Sequence, residues 1–199
     1  MLLIDINVVR RVMATQDVDF VFRSAKGLSG GILVPWRTDR WKGDLINIGD
    51  FSLSSSLVST DNKWSWGIIG VYGPHRHNDK LLLWEELSSL QNQLSSPWCF
   101  LGDFSAVRHP TERKNCKLQT VLMSQFNDWI ESLHLRELEI FNRKYTCNNL
   151  SASKIDRVLV NNQWANPFSL SSSKLSVRDY FRSLCHFDQL FTSEAYVEI

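Results

Sequence analysis

Apolar positions recur along this chain in two rhythms, one of period 2 and one near 3.6, and segments of the two kinds alternate. Val9, Val12 and Met13 share a helical face between Val8 and Thr15, which predicts a short helix. Val18, Phe20 and Phe22 then fall on one side of an extended segment, predicting a strand over 18–22. Gly27-Leu28-Ser29-Gly30-Gly31 predicts a tight turn into a second strand, Ile32 to Trp36. A polar connection over 37–43 leads to Asp44–Thr60, whose alternation predicts one or two half-buried strands. Trp64–Tyr72 is β-branched and aromatic, reads as the clearest strand, and stops at Gly73-Pro74.

Helical spacing returns after that break. Asn78 or Asp79 is a suitable cap for a helix reaching about Gln93, with Leu82, Leu83, Leu87 and Leu90 as its apolar stripe. Pro97 ends the pattern. Thr120–Leu133 predicts a second amphipathic helix, with Val121, Met123, Phe126, Trp129 and Ile130 on its buried face. Tyr145–Cys147 and Ser153–Val160 predict a hairpin across Asn148-Asn149, and the patterning then fades into a serine-rich stretch over 169–173. Strand pairs with two helices between them predict an α/β domain in layers. A four-layer sandwich would use this order of elements, and so would a simpler α+β domain. No repeat or domain-scale linker interrupts the pattern, so residues 1–199 read as a single domain with a divergent tail over 169–199.

One strand breaks the rule that apolar runs exclude charge. Trp98-Cys99-Phe100-Leu101 ends in Gly102-Asp103 and resumes with Phe104-Ser105. Desolvating an unpartnered carboxylate costs several kcal/mol, so an Asp at the mouth of a buried strand needs a metal, a proton or a phosphate, or else merely closes a turn.

Composition narrows the possibilities. Hydrophobic content of 43% and charged content of 22% are those of an ordinary globular domain. A net charge of +1 supplies no global basic field, so any nucleic-acid surface has to be a local patch. Eight tryptophans, mostly beside turns and strand starts, point to core anchoring. Cys99, Cys116, Cys147 and Cys185 are scattered without a C-x-x-C pair, which disfavours zinc and suits a reducing compartment. The first residues lack a basic signal-peptide start and no apolar run is long enough to span a membrane. The expectation is an intracellular protein, nuclear or cytoplasmic, without a membrane partner.

Several short motifs stand in one order: Ser29 to Leu33, Val71-Tyr72-Gly73-Pro74, Leu83 to Leu87, Pro97 to Ser105, Glu112-Arg113, Phe126 to Ile130, and Ser153 to Arg157. Together they resemble the endonuclease/exonuclease/phosphatase family, and within it the endonuclease domain of plant non-LTR, LINE-type retrotransposons. The resemblance implies a DNase I-like two-sheet α/β sandwich whose strand-end loops form a Mg²⁺-dependent phosphodiesterase site that nicks DNA. By the resemblance, Tyr72 would hydrogen-bond the scissile phosphate. Asp103 would orient or deprotonate the attacking water and hold the metal, and Asp156 would steady a catalytic histidine. Without the resemblance, Tyr72 is a strand-end core aromatic and Asp156 a surface partner for Lys154 or Arg157.

The chain also departs from the family pattern. Ser105 stands where the family has Asn, and a hydroxyl is shorter and has a single donor, so its phosphate contact is expected to be lost or carried by water. His186, in Leu184-Cys185-His186-Phe187-Asp188, is the sole candidate for the family's histidine, with Cys185 in place of its supporting Asp. The family's metal-binding Glu would fall before Met1, so the sandwich is expected to be incomplete at the N-terminus and to expose a sheet edge. Three readings follow: an active endonuclease, a retrotransposon-derived domain with impaired catalysis, and a nucleic-acid-binding remnant using Arg108, Arg113, Lys114 and Lys117. His75-Arg76-His77 lacks a neighbouring carboxylate in sequence and reads as surface.

Overall fold

The computed structural model describes residues 4–25, 30–91, 93, 97–115, 119–138, 146–147 (backbone only) and 152–164. The first helix, α1, is Ile6–Met13, with the Asp5 side chain accepting from the Asn7 N–H at its start. It ends at Ala14 in a left-handed conformation whose N–H caps the Arg10 and Arg11 carbonyls. It therefore lies two residues earlier than the apolar spacing predicts, because Asp5 supplies the cap. Strands β1 (Val18–Arg23) and β2 (Ile32–Arg37) pair antiparallel as a hairpin.

The next strands are β3 (Trp41–Ile48), β4 (Ser52–Ser59) and β5 (Ser65–Tyr72). The polar connection expected over 37–43 is shorter than the sequence suggests, since β3 already begins at Trp41. Helix α2 covers His77–Gln91. It starts ahead of Asn78 and Asp79, which lie in its first turn and do not cap it. Leu82 is 54% exposed, and Trp84 takes its place on the buried face with Leu83, Leu87 and Leu90. Strand β6 (Trp98–Asp103) follows, then the two-residue β7 (Arg113–Lys114) and helix α3 (Thr120–Ser132). In α3 the buried residue of the first turn is Leu122, while Val121 is exposed. Strands β8 (Arg136–Leu138), β9 (Thr146–Cys147), β10 (Ala152–Ser153) and β11 (Asp156–Val160) complete the described elements.

The strand expected over 153–160 is split in two. Its first part, β10, pairs with β9 as expected of the hairpin, and also with β7. Its second part, β11, crosses into the main sheet between β6 and β8. Asn148-Asn149, the Gly27–Ser29 turn and the tail over 169–199 lie outside the described residues.

Six strands form the main sheet in the order β3-β4-β5-β6-β11-β8. All neighbours are antiparallel except β5 and β6, which run parallel and are joined through α2. One face packs on the β1–β2 hairpin and, through it, on α1. Val9, Met13, Val34, Trp36, Leu53, Leu57, Ile68 and Val158 are buried there. The other face carries Ile69, Val71, Trp98, Phe100 and Leu159 and is covered by α2 and α3, through Leu83, Leu87, Phe126 and Ile130. The layers are thus helix, hairpin sheet, six-stranded sheet and helices, a four-layer α/β sandwich.

Alternation along β5, β6 and β11 decides which residues meet. Trp66, Ile68, Cys99, Val158 and Val160 face the hairpin, while Ile69, Val71, Phe100 and Leu159 face the helices. Gly70 permits this packing, since a Cβ there would stand 2.7 Å from Ile32 and 2.9 Å from Val34. At one end of the hairpin-facing core, Trp41, Trp64, Trp66 and Trp164 form an aromatic cluster with ring centroids 5.0–6.3 Å apart.

Candidate active site

The carboxyl ends of β5 and β6, together with the start of β11, make the site. Because β5 and β6 are parallel and β11 antiparallel, Tyr72 is in register with Asp103, and Asp103 with Asp156. The alternation places all three on the hairpin-facing side, so they form a row across three adjacent strands. The structure therefore brings together Tyr72, Asp103 and Asp156, which are 31 and 53 positions apart in the chain. The Tyr72 ring also backs onto the hairpin, because a Cβ on Gly30 would lie 3.0 Å from its Cε2 and Cζ.

Two glycines set the geometry of the strand ends. Gly102 has φ +138°, and a Cβ there would run into the Val71 carbonyl oxygen 2.0 Å away. At Gly73 a Cβ would press on the backbone of Phe104 and Asp103, at 2.6–2.9 Å. The β5–α2 connection therefore lies against the end of β6, tied by the Gly73 N–H donating to the Asp103 carbonyl at 2.6 Å.

Asp103 is the electrostatic centre of this end. Burial pushes its carboxyl up to about 6, opposed by a hydrogen bond from the Ser105 N–H and reinforced by the neighbouring charge of Asp156. His75 contributes a weaker favourable field. His75, Arg76 and His77 are exposed, as the sequence suggests, yet the first of them lies near enough to act on Asp103.

Ser105 is already engaged. Its hydroxyl donates to the Gly73 carbonyl at 3.0 Å and its backbone N–H serves Asp103. It also sits at φ 49°, a left-handed conformation that Asn adopts more readily than Ser. His186 lies outside the described residues, as does Lys117. Of the other basic-loop residues, Arg108 bonds Asn127 and Glu137, and Arg113 donates to Ser153.

Two features escaped the sequence reading. Lys80, in the first turns of α2, is 4% exposed. Burial lowers its pKa, while the charge of Asp103 raises it and that of Arg113 lowers it further. The signal was present: Lys80 occupies the phase of Leu83, Trp84 and Leu87, a position where a lysine is out of place. The second feature is an ion-pair network behind β11. Arg157 is fully buried, pairs with Glu112 and Glu137, and lies 5.5 Å over the Phe126 ring. Lys154 bonds Glu137 at 2.6 Å and Arg108 bonds it at 3.0 Å. Arg157 and Lys154 are thus engaged by Glu112 and Glu137.

The donor set tests the metal that the resemblance implies. Mg²⁺ takes six oxygen ligands in strict octahedral geometry and relies on carboxylates to hold it. The row offers Asp103 and Asp156, with one Asp103 oxygen already accepting from Ser105. Among the described residues no group of three His, Cys, Asp or Glu side chains could hold a metal ion. The described residues do not fit Mg²⁺.

This sandwich is the DNase I-like fold of endonucleases, exonucleases and phosphatases. Among solved structures it is similar to the endonuclease domain of TRAS1, a telomere-specific non-LTR retrotransposon, with a TM-score of 0.58 and 12% identity, over 77% of this chain and 71% of that one. The human Nocturnin catalytic domain with bound sulfate has a TM-score of 0.47 and 14% identity, over 77% of this chain and 64% of that one. ANGEL2, a 2',3'-cyclic phosphatase in complex with adenosine-2',3'-vanadate, has a TM-score of 0.48 and 13% identity, over 77% and 65% of the two chains. No protein-family model and no curated protein matches the sequence.

Proposed function

We propose that this chain is a retrotransposon-type endonuclease domain, of DNA phosphodiesterase ancestry, whose hydrolytic site is impaired. The observation that carries the reading is the state of the row's centre. Asp103 is desolvated and held by the Ser105 N–H, while the Ser105 hydroxyl is turned onto Gly73. A phosphate arriving at this end loses the amide donor that the family supplies at position 105. It meets Tyr72 at the strand end and a carboxyl that is protonated more readily than an ordinary Asp. The fold shared with a retrotransposon endonuclease domain, and the order of motifs, support the DNA ancestry. Mg²⁺ belongs to that ancestry, and no step is routed through it here.

A second reading, an active endonuclease, is favoured by one observation, the juxtaposition of Tyr72, Asp103 and Asp156. Incubating the purified chain with supercoiled plasmid and Mg²⁺ or Mn²⁺ decides between them. Impairment predicts nicking no faster than in an Asp103→Ala control. Nicking clearly above that control overturns the proposal and establishes the active enzyme.

A further inference from the structure

We propose that Arg23 is the positioning residue of Tyr72: its guanidinium bonds the two backbone segments between which the tyrosine is held. This rests on the reading of the sheet end as a phosphodiesterase-type site, where Tyr72 meets the phosphate. It adds what keeps the phenol in place.

Arg23 is the last residue of β1. The register pairs it with Ile32 and pairs Val21 with Val34, so the arginine lies on the hairpin face that packs onto the main sheet. There it is 4% exposed. A guanidinium carries five donors in a rigid fork and can serve two carbonyls at once. Nη1 donates to the Asp50 carbonyl at 2.7 Å, and Nη2 to the Gly30 carbonyl at 3.4 Å.

Both carbonyls belong to segments that touch Tyr72. Gly30 walls the ring, since a Cβ there would stand 3.0 Å from Cε2 and Cζ and 3.3 Å from the phenol oxygen. Asp50 directly precedes Phe51, whose carbonyl accepts from the Tyr72 N–H at 3.0 Å. One side chain of the hairpin thus fixes the tyrosine through its ring and through its backbone. Gly31 lets the chain close this tightly, because a Cβ there would lie 2.9 Å from the Arg23 carbonyl oxygen.

Glu86 of α2 secures the same turn from its other side, accepting from the Asp50 and Phe51 N–H groups at 3.0 and 3.3 Å. Removing the guanidinium therefore leaves the turn its anchor on α2 and releases Gly30 from it. The Arg23 Nε is buried without a hydrogen-bond partner among the described residues. An unpaired donor inside a protein costs stability, and an apolar side chain would avoid that cost. A residue placed for stability alone would not carry it. A fork that reaches two backbone oxygens beside the phenol supplies the rigidity a binding site needs.

The test follows the Tyr72 ring by ¹⁹F NMR of the full chain labelled with 3-fluorotyrosine. The chain has four tyrosines, and the Tyr72 line is the one absent from Tyr72→Phe. In Arg23→Met this line is expected to move toward the position of free fluorotyrosine. In Arg23→Lys it should move less, because an ammonium keeps one carbonyl and loses the fork. Val18→Ala, which weakens the same hairpin at its far end, is expected to leave the line in place. An unmoved line in Arg23→Met, or an equal displacement in Val18→Ala, overturns the proposal. If circular dichroism shows that Arg23→Met does not fold, Arg23→Lys decides, and an unmoved line there overturns it. Titration with inorganic phosphate is expected to shift the Tyr72 line of wild type, with affinity about tenfold weaker in Arg23→Met. Equal affinity in the two also overturns the positioning role. A wild-type line that ignores phosphate defeats the phosphate contact of Tyr72, whereas the displacement by Arg23→Met is read without phosphate and stands apart from it.

Discussion

Charge burial is where single residues of this chain carry the most energy. Asp103 has its carboxyl raised from 3.8 to about 6 in the folded state. A raised acid contributes stability in its protonated form, fully present below about 3.8 and lost as pH rises through about 6. Asp103→Asn keeps an oxygen for the Ser105 N–H and removes the buried charge. It is expected to stabilise the fold by roughly 1–3 kcal/mol above pH 7, with no gain below pH 4, measured by urea denaturation at both pH values. Glu112 and Glu137 behave in the opposite sense. Burial pushes each up, but the ion pairs with Arg157 and Lys154 win and hold both below the ordinary 4.5. Their contribution is present above pH 4.5 and is lost as pH falls through their lower folded values. Arg157→Met leaves both glutamates half-buried without their central partner and is expected to cost about 3–5 kcal/mol at pH 7. The same variant should lose less stability than wild type between pH 5 and pH 3, a difference that denaturation melts would detect.

At the scale of elements, the strand ends depend on glycine. Gly102 has a backbone conformation that a side chain resists, and a Cβ there collides with the β5 carbonyl of Val71. Gly102→Ala is therefore expected to part β6 from β5 and cost at least about 3 kcal/mol, measured by urea denaturation. The β3–β4 turn is held differently. Glu86 of α2 accepts from the Asp50 and Phe51 N–H groups and the Ser52 hydroxyl. Arg23 of β1 donates to the Asp50 carbonyl at 2.7 Å, so α2 and β1 converge on one turn. The sequence pattern marks β5 as Trp64–Tyr72 and α3 as Thr120–Leu133, each within a residue of the observed bounds, and marks the strand that begins at Trp98, where apolar periodicity is strong. It misplaces Leu82 and Val121 because helical spacing fixes a stripe only to within a residue. It also joins β10 to β11, since nothing local announces that the chain changes sheets at Lys154-Ile155.

Among the described residues of the whole molecule, β3 is an edge of the main sheet and carries Leu45, Ile46 and Ile48, each 43–53% exposed. Its register shifts between Leu45 and Asn47, and such an irregularity blunts pairing with another edge. Apolar side chains on an open edge still promote association. Ile46→Lys/Ile48→Lys is expected to lower light scattering at high concentration while leaving the melting temperature nearly unchanged; unchanged scattering would show that association arises elsewhere.

By itself the sequence determined the α/β class, the order of the strong strands and helices, and Asp103 as a residue of interest, because periodicity and a charge at the end of an apolar strand are local properties. Tyr72 and Asp156 were marked only by the resemblance of the ordered motifs. Tertiary structure alone decided that Tyr72, Asp103 and Asp156 stand in one row, that the Ser105 hydroxyl faces Gly73, and that Lys80 is buried. Those outcomes depend on which strands become neighbours and how closely a helix approaches them, relations between residues far apart in the chain that no local pattern contains.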